Sequence, residues 1–372
     1  MAEQSSSTTD MPGRPRFNTI VIGVAGALIC LLCLRQFSGI IGPWFLAINL
    51  MITAYPLHTW LVRKGTPSWL SAMVVSLTVF AVLIALVAGL VWSVSEMVGI
   101  LPQYAAEFTV LYNRVTDWAE VQFDIGEGGW GQLLNTLDPT RFIGAATSLL
   151  SGASGLASAM VGMIGIIVAA IVFMAMDTPG LERRLRFLAG NRSRVATAMS
   201  SFAHGVRRYW IVTTVFGIIV AVFDGVVLAI MGVPLAIVWG IFSFLTNYIP
   251  NIGFVIGLIP PAVVALFANG WQSAVIVIVM YCVLNFVIQT IIQPRFAGES
   301  VGVTPTVSFM SLLLWASVMG GMGTLLALPM TLLVKSLLID ADPRARWFNA
   351  LIASDPKDAE PLEDDLLPED DE

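Results

Sequence analysis

The longest uncharged stretch of the chain is Gly225–Pro294, which reads GVVLAIMGVPLAIVWGIFSFLTNYIPNIGFVIGLIPPAVVALFANGWQSAVIVIVMYCVLNFVIQTIIQP. As one helix, its 70 residues would extend about 105 Å, enough for three crossings of a hydrocarbon core of roughly 30 Å. Prolines and glycines interrupt the stretch, and Asn247–Gly253 (NYIPNIG) is typical of a loop. Irregular backbone is tolerated at membrane depth only where protein or water satisfies its polar groups. The stretch therefore predicts membrane helices, joined at 247–253 either by a tight turn between spans or by the tip of a re-entrant hairpin.

The whole chain has the composition of a membrane protein. Of its 372 residues, 57% are hydrophobic and only 12% are charged, and the mean hydropathy is +0.83. Soluble domains carry about 25% charged residues, and a soluble fold has too little interior to bury so much apolar surface. The composition excludes a water-soluble enzyme, a nucleic-acid-binding protein and a secreted disulfide scaffold. It predicts an all-α, polytopic integral membrane protein in contact with lipid.

Apolar runs between charges locate the membrane elements. Five spans are predicted at Phe17–Leu34, Phe37–Val62, Gly65–Ser95, Phe142–Met176 and Tyr209–Met231. A second uncharged run, Ser300–Val334, carries glycines at its middle and Pro329 beyond them, so it is open to the same choice between spanning and re-entering. With the long stretch, these runs predict about eight membrane helical elements, some of them broken or re-entrant.

Lys and Arg in short loops predict the orientation, because they are enriched on the cytoplasmic side. Residues 177–208 carry seven arginines against two acids, whereas 96–141 carry two arginines against seven acids. The pair Arg63–Lys64 and the two arginines before the first span fit the same alternation. Both termini are therefore expected in the cytoplasm, and 96–141 outside it.

The polar segments divide the chain further. Residues 1–15 are polar and low in complexity, and 343–372 include a run of acids that repel one another, so both ends are expected to be disordered and cytoplasmic. They flank a permease domain at 16–342. Within it, 177–208 is a basic amphipathic segment, expected at an anionic lipid surface, with a regulatory or partner-binding role as the alternative.

A short helical segment outside the cytoplasm is predicted within 96–141. Its apolar residues recur three and four positions apart, which places them on one helix face: Leu101, Tyr104, Phe108, Leu111, Val115 and Trp118. This stripe indicates packing against the protein itself or the membrane surface. The alternative is a subunit contact in a homo-oligomer.

Residues that could carry enzyme chemistry are sparse. His58 and His204 stand far apart without paired carboxylates nearby, and no phosphate-binding glycine loop is followed by a lysine. The sequence predicts no catalytic residues, no metal, no cofactor and no ATP-driven pump. The remaining polar signals lie inside the predicted spans and are typical of a transporter.

Asp224 is the ionisable residue that lies well inside a predicted span. A charge at this depth costs at least about 2.5 to 3.5 kcal/mol on insertion scales, so the side chain should face the bundle interior, an aqueous cavity or a partner. The residue is either a proton or sodium site, or a structural hydrogen bond, or it lies near the outer interface.

Three amides form a second intramembrane feature. Asn285, Gln289 and Gln293 fall at i, i+4 and i+8, which places them on one face of a helix that Pro294 ends. Such amides either join neighbouring helices by hydrogen bonds or line a path for a small polar solute.

The segment around Pro250 is the third feature. Asn247, Tyr248 and Asn251 lie beside this proline in an uncharged setting. They resemble the interrupted helices that form midplane binding sites in secondary transporters.

Five motifs give the chain a family resemblance. In order, they are NYIPNIG at 247–253, QPRFAG at 293–298, VTP at 303–305, GGMG at 320–323 and LP at 328–329. With them the sequence resembles the autoinducer-2 exporter (AI-2E) family of bacterial inner-membrane permeases, from the first span to about residue 342. Gly253 supplies the glycine that the family has two or three residues after the proline of its NYIP element. Asp224 belongs to none of these motifs.

The resemblance implies a secondary carrier without ATP in the inner membrane, which exports the quorum-sensing furanone autoinducer-2 in the namesake members and exchanges sodium for protons in others. The residues expected to form the transport pathway are Asp224, Asn247, Tyr248, Pro250, Asn251, Gly253, Asn285, Gln289, Gln293, Pro294, Pro305, Gly320, Gly323 and Pro329. Three functions stay open. They are an exporter of a small polar solute driven by an ion gradient, a cation/proton antiporter built on Asp224, and a membrane scaffold without transport that binds partners.

Overall fold

The computed structural model describes residues 17–104, 106–107, 109–110, 113–114, 117, 162–174, 176, 193–249, 252–293 and 304–341. The helices in chain order are α1 (Phe17–Gln36), α2 (Ser38–Arg63), α3 (Ser68–Ile100), α4 (Gly162–Met174), α5 (Ser193–Ile230), α6 (Ala236–Thr246), α7 (Gly253–Asn269), α8 (Trp271–Asn285) and α9 (Pro305–Lys335). A 3₁₀ turn, Leu101–Tyr104, follows α3, and the π-helices Phe286–Ile292 and Ser336–Asp340 extend α8 and α9. The predicted all-α polytopic architecture is confirmed.

Five helical stretches among the described residues are long and apolar enough to cross a membrane by length and composition. They are Ser38–Arg63, Ser68–Tyr104, Val195–Ile230, Trp271–Gln289 and Pro305–Asp340. The first three overlap the predicted second, third and fifth spans, and the stretch at Val195–Ile230 begins 14 residues before the predicted Tyr209. Many apolar side chains on these helices are exposed, as lipid contact requires.

The described helices are assembled around α5, which packs against α2, α6, α8 and α9. One apolar cluster joins α5 to α2, α3, α4 and α9, and includes the buried Trp210 and Trp315. A second cluster joins α6, α7 and α8 around Trp239 and Tyr281, which are almost completely buried. Because lipid is as apolar as the helix surfaces, such helices are held by close packing and by hydrogen bonds between polar side chains.

Helices α6 and α7 form the first hairpin (Ala236–Asn269). The 11 residues of α6 rise about 16 Å, roughly half of a hydrocarbon core. The chain reverses between α5 and α6 at 231–235, where Leu235 adopts φ 61°. After α6, α7 returns alongside it. The short length of α6 favours a re-entrant hairpin over a turn between two spans, and the tip of this hairpin lies between α6 and α7.

Helix α9 forms the second hairpin, because it folds back on itself at Gly320. This glycine has φ 60° and ψ −138°, which a residue with a side chain rarely adopts. Ser311 Oγ donates a hydrogen bond to Ala327 O at 2.9 Å, although these residues would lie about 24 Å apart in a straight helix. Legs 305–319 and 321–335 are therefore antiparallel, and each is shorter than a hydrocarbon core. The short legs favour re-entry for this hairpin as well.

Candidate functional site

The tip of the first hairpin is held against α5 by polar side chains. Tyr248 Oη and Thr214 Oγ1 are 2.9 Å apart, and Tyr209 Oη donates to Tyr248 O at 3.5 Å. Asn247 Nδ2 donates to Thr213 O at 3.5 Å. These bonds satisfy polar groups of the interrupted backbone and its side chains, as irregular structure at membrane depth requires.

Two glycines permit this docking. A Cβ on Gly253, where α7 starts, would collide with the backbone carbonyl of Thr246. A Cβ on Gly217 of α5 would lie 2.9 Å from Asn247 Nδ2. The motif singled out Gly253 without its packing role, whereas the role of Gly217 depends on which helix the tip meets and has no signal in the sequence.

The amides of α8 meet the tip in one chain of hydrogen bonds. Gln289 Nε2 donates to Asn247 Oδ1 at 2.7 Å and to Asn285 Oδ1 at 2.8 Å. Asn285 is buried, and its Nδ2 donates to Tyr281 O at 2.8 Å. We call Asn247, Gln289 and Asn285 the amide chain. The structure thus brings together residues that lie 42 positions apart in the sequence.

Gln293 does not continue this chain. The π-helix Phe286–Ile292 has a wider turn, so the four-residue spacing no longer keeps Gln293 in line with Asn285. Gln293 is half-buried, its backbone N–H donates to Ile288 O, and no hydrogen bond joins its side chain to another described residue. The predicted stripe is therefore correct for its first two members, and it ends at a π-helix, a feature frequent at functional sites.

Asp224 lies in the protein interior between α5 and α6. Its exposed fraction is 0%, and Ser243 Oγ donates a hydrogen bond to its Oδ2 at 2.5 Å. The two helices approach closely beside it, where a Cβ on Gly240 would lie 3.0 Å from Ala221 O. Within the described part of the chain, Asp224 Oδ1 has no hydrogen-bond partner. The structure thus places this side chain away from lipid, as the cost of a buried charge demands.

Tyr281 is another buried polar residue, on α8, which packs against the α5 helix of Asp224. The Tyr281 hydroxyl is buried and forms no hydrogen bond to any described residue. Sequence reasoning missed both Tyr281 and Ser243. The spacing could have found Tyr281, because it lies four residues before Asn285 and extends the amide stripe by one turn.

The other pathway residues in the C-terminal part build the second hairpin. Pro305 is the first residue of α9, after Thr304, whose hydroxyl accepts from Val307 N at 3.4 Å. Gly320 makes the turn, and a Cβ on Gly323 would collide with the carbonyl of Trp315. Pro329 is buried in the returning leg. No hydrogen bond between described residues joins these four positions to the amide chain.

Polar side chains of the second hairpin bond to one another. Ser311 Oγ and Thr331 Oγ1 are 2.5 Å apart, and Trp315 Nε1 donates to Thr331 Oγ1 at 3.0 Å. All three residues belong to α9. We call this group the hydroxyl cluster, and it links the two legs directly.

Several predicted residues lie outside the described ranges. They are Pro250, Asn251 and Pro294 of the pathway, and Phe108, Leu111, Val115 and Trp118 of the apolar stripe. Of the remaining stripe residues, Leu101 begins the 3₁₀ turn after α3, and the Tyr104 ring stacks on Phe267 of α7 with the ring centroids 6.1 Å apart. For Tyr104, this contact fits packing against the protein itself.

The structure combines a polytopic helical bundle with two helical hairpins, an interior acid and an amide chain between broken helices. These features are typical of one class, that of membrane transport proteins. The comparisons with known proteins give the family. The model of the AI-2E family transporters matches residues 17–341, so the chain belongs to this family.

Curated relatives agree with this assignment. The AI-2 transport protein TqsA of Escherichia coli K12 is 29% identical over 320 residues, covering 86% of this chain and 91% of that protein. The putative transport protein YhhT of the same strain is 28% identical over 316 residues, covering 85% and 89%. A putative transport protein of Haemophilus influenzae is 26% identical over 347 residues, covering 89% and 95%. The relatives are named as transporters and not as enzymes.

Proposed function

We propose that this protein is a secondary transporter that exports a small polar solute such as autoinducer-2, driven by an ion gradient. Membership of the AI-2E family supports transport, and the similarity to TqsA supports this solute. The amide chain is the observation that carries the proposal. It lies where the tip of the first hairpin, α5 and α8 meet, and it crosses between helices that are separate in the sequence.

The chemistry of the amide chain indicates an uncharged polar solute. Gln289 donates to both neighbouring amides, and these amides in turn donate to backbone carbonyls. If Gln289 separates from Asn247, one donor and one acceptor become free, which is the pair that a solute hydroxyl needs. The chain carries no net charge, so a neutral solute enters it without an uncompensated buried charge.

Autoinducer-2 uptake into everted membrane vesicles tests the proposal, because export from the cell becomes uptake in vesicles of this orientation. We expect vesicles that contain the protein to accumulate autoinducer-2, and a protonophore to abolish that accumulation if protons supply the driving force. Absence of uptake by folded, inserted protein would refute this solute.

Two variants locate the pathway. In Gln289→Leu and Asn247→Leu we expect uptake to fall by about tenfold or more, because each removes hydrogen bonds that the solute would exchange. Gln272→Leu is the matched control, since it also removes a glutamine amide from α8 but at an exposed position. Equal loss in all three variants would show that the amide chain has no special role.

Cation/proton antiport is the second candidate, and the interior carboxyl of Asp224 favours it. One carboxyl oxygen is bonded only to Ser243 and the other to no described residue, which leaves an oxygen ligand for a proton or a sodium ion. Sodium-dependent proton efflux from proteoliposomes, lost in Asp224→Asn and retained in Gln289→Leu, would favour antiport over solute export.

The same proposal includes location and assembly. The distribution of arginines supports an inner-membrane protein with N- and C-termini in the cytoplasm. The second hairpin is consistent with this orientation, since its antiparallel legs bring the start and the end of α9 to the same side. A homo-oligomer through the apolar stripe from Leu101 to Trp118 would be seen as a multiple of the protomer mass by light scattering in detergent.

A further inference from the structure

Four exposed tryptophans mark the two ends of the α2–α3 pair. Helices α2 and α3 pack against each other and are joined by residues 64–67, with Trp60 and Trp69 beside this connection. Trp44 and Trp92 lie nearer the opposite ends, and all four residues are between 44% and 66% exposed. The two tryptophans of α2 are about 24 Å apart along the helix and those of α3 about 35 Å, spacings close to a hydrocarbon core of roughly 30 Å. Because exposed tryptophans are enriched where the membrane meets water, the connection lies at the level of the lipid headgroups.

The connection carries an uncompensated positive charge. Arg63 and Lys64 are the only Asp, Glu, Lys or Arg residues between Arg35 and Glu96, and both are exposed. Neither of them forms an ion pair with another described residue. Cations at this level of the membrane are attracted to anionic lipid headgroups.

The Lys64 side chain is held in place rather than extended into water. Its Nζ lies 3.8 Å from the centroid of the Trp60 ring, and this cation–π contact fixes the ammonium group beside the exposed indole. The two helices are also joined beside the connection, where Ser71 Oγ of α3 donates a hydrogen bond to His58 O of α2 at 3.0 Å. A cation that is already held in position loses less side-chain entropy on binding than a freely rotating lysine.

The opposite end of the α2–α3 pair carries the opposite charge. There, Trp92 Nε1 donates a hydrogen bond to Glu96 Oε1 at 3.2 Å. A carboxylate beside Trp92 repels a phosphate group, whereas the ammonium group beside Trp60 attracts one. The two ends thus share an exposed indole and differ in the sign of the charge next to it.

We propose that Trp60, Arg63, Lys64 and Trp69 form a binding site for an anionic phospholipid, and we call this site the cationic corner. The two cations bind the headgroup phosphate, and the two exposed indoles pack on the glycerol and the upper part of the acyl chains. A lipid is the occupant because it covers the rings as well as the charges, whereas a soluble anion would use the charges alone. The site does not depend on which solute the protein transports.

Tryptophan quenching in lipid vesicles tests the cationic corner. The full-length protein is reconstituted into phosphatidylcholine in which a fixed fraction of the lipid is brominated phosphatidylglycerol or, in parallel, brominated phosphatidylcholine. Bromine quenches the tryptophans that it contacts, and the difference between the wild type and Trp60→Phe isolates Trp60. We expect phosphatidylglycerol to associate with Trp60 at least about threefold more strongly than phosphatidylcholine, because each cation near the surface adds attraction for the anionic lipid.

Trp92 and two further variants are the controls. The same difference taken with Trp92→Phe should show no preference for phosphatidylglycerol, because Glu96 lies beside that ring. The double variant Arg63→Gln/Lys64→Gln should lose the preference at Trp60, whereas Lys64→Arg should keep it. Since Arg63 and Lys64 also direct insertion, the wild type gives a second readout. Raising the salt from about 0.1 M to about 1 M shortens the Debye length from about 10 Å to about 3 Å, so the preference at Trp60 should fall.

Three results would overturn the inference. They are an equal preference at Trp60 and Trp92, a preference at Trp60 that persists in an inserted Arg63→Gln/Lys64→Gln protein, and a preference in the wild type that high salt leaves unchanged. Competition by inorganic phosphate beyond that of sodium chloride at the same ionic strength would assign the cations to a soluble anion and would also refute the lipid site. Solute uptake is measured separately, so failure of the proposed solute leaves this result intact.

Discussion

The two helical hairpins share a close contact at a glycine but differ in their polar contents. In each, a glycine on the returning helix lies against a backbone carbonyl of the outgoing one, Gly253 against Thr246 and Gly323 against Trp315. In the second hairpin, the hydroxyl cluster bonds within α9 alone. In the first, the polar side chains of the tip bond to α5 and α8. Close turns are thus a requirement of the fold in both, whereas bonds between separate helices distinguish the first hairpin as the place where relative motion can alter a site.

The turn glycines give the largest expected effect. Alanine at Gly253 or Gly323 would place a methyl group inside a backbone carbonyl, so we expect each variant to lose about 3 kcal/mol or more of unfolding free energy. Yield of monodisperse protein and thermal unfolding in detergent measure the loss. Gly321→Ala is the control, since a Cβ there has open space and the residue lies in the same hairpin.

If Gly323→Ala were stable while Gly253→Ala failed to fold, the two glycine contacts would not be equivalent. It would mean that the legs of α9 can separate without loss of the fold.

Removal of the hydroxyl cluster tests its structural role. Thr331→Val leaves Trp315 Nε1 without its partner and deprives Ser311 of one, so we expect a loss of about 1 to 3 kcal/mol in stability. Uptake per folded molecule should remain near that of the wild type, in contrast to Gln289→Leu. Thr324→Val serves as the control, because that hydroxyl bonds only to Gly320 O of its own leg. A transport defect in Thr331→Val with normal stability would assign the second hairpin a part in the pathway.

The smallest effect is expected at the docking of the tip. Tyr248→Phe removes the hydroxyl bond to Thr214 while it keeps the ring between Trp210 and Phe244, so we expect a loss of about 1 kcal/mol. Unfolding in mixed micelles measures this loss of stability, and uptake is measured in parallel. If stability is unchanged and uptake falls, the Tyr248 hydroxyl belongs to the solute path rather than to the docking of the tip.

Much of the fold could be predicted from the sequence, because membrane insertion imposes a strong and local rule. An uncharged run long enough to cross the bilayer must be helical, so α2, α3 and α5 follow from the spacing of charges alone. The interior placement of Asp224 follows from the same cost of charge. The four-residue spacing of Asn285 and Gln289 correctly indicated a shared helix face. The π-helix that begins at Phe286 ended this period before Gln293.

Other features needed the tertiary structure, because they depend on which helices are neighbours. Hydropathy is the same for a helix that spans and for two legs of a hairpin. The tertiary contacts, such as that of Ser311 with Ala327, were needed to show that α9 folds back. Ser243 reads as an ordinary residue of an apolar helix until α6 brings it to Asp224. The sequence by itself determined an all-helical membrane protein of the AI-2E family with an interior acid, since burial of polar groups in lipid leaves few alternatives. Only the packing decided which polar groups of the described residues pair, since that depends on distances between residues far apart in the chain.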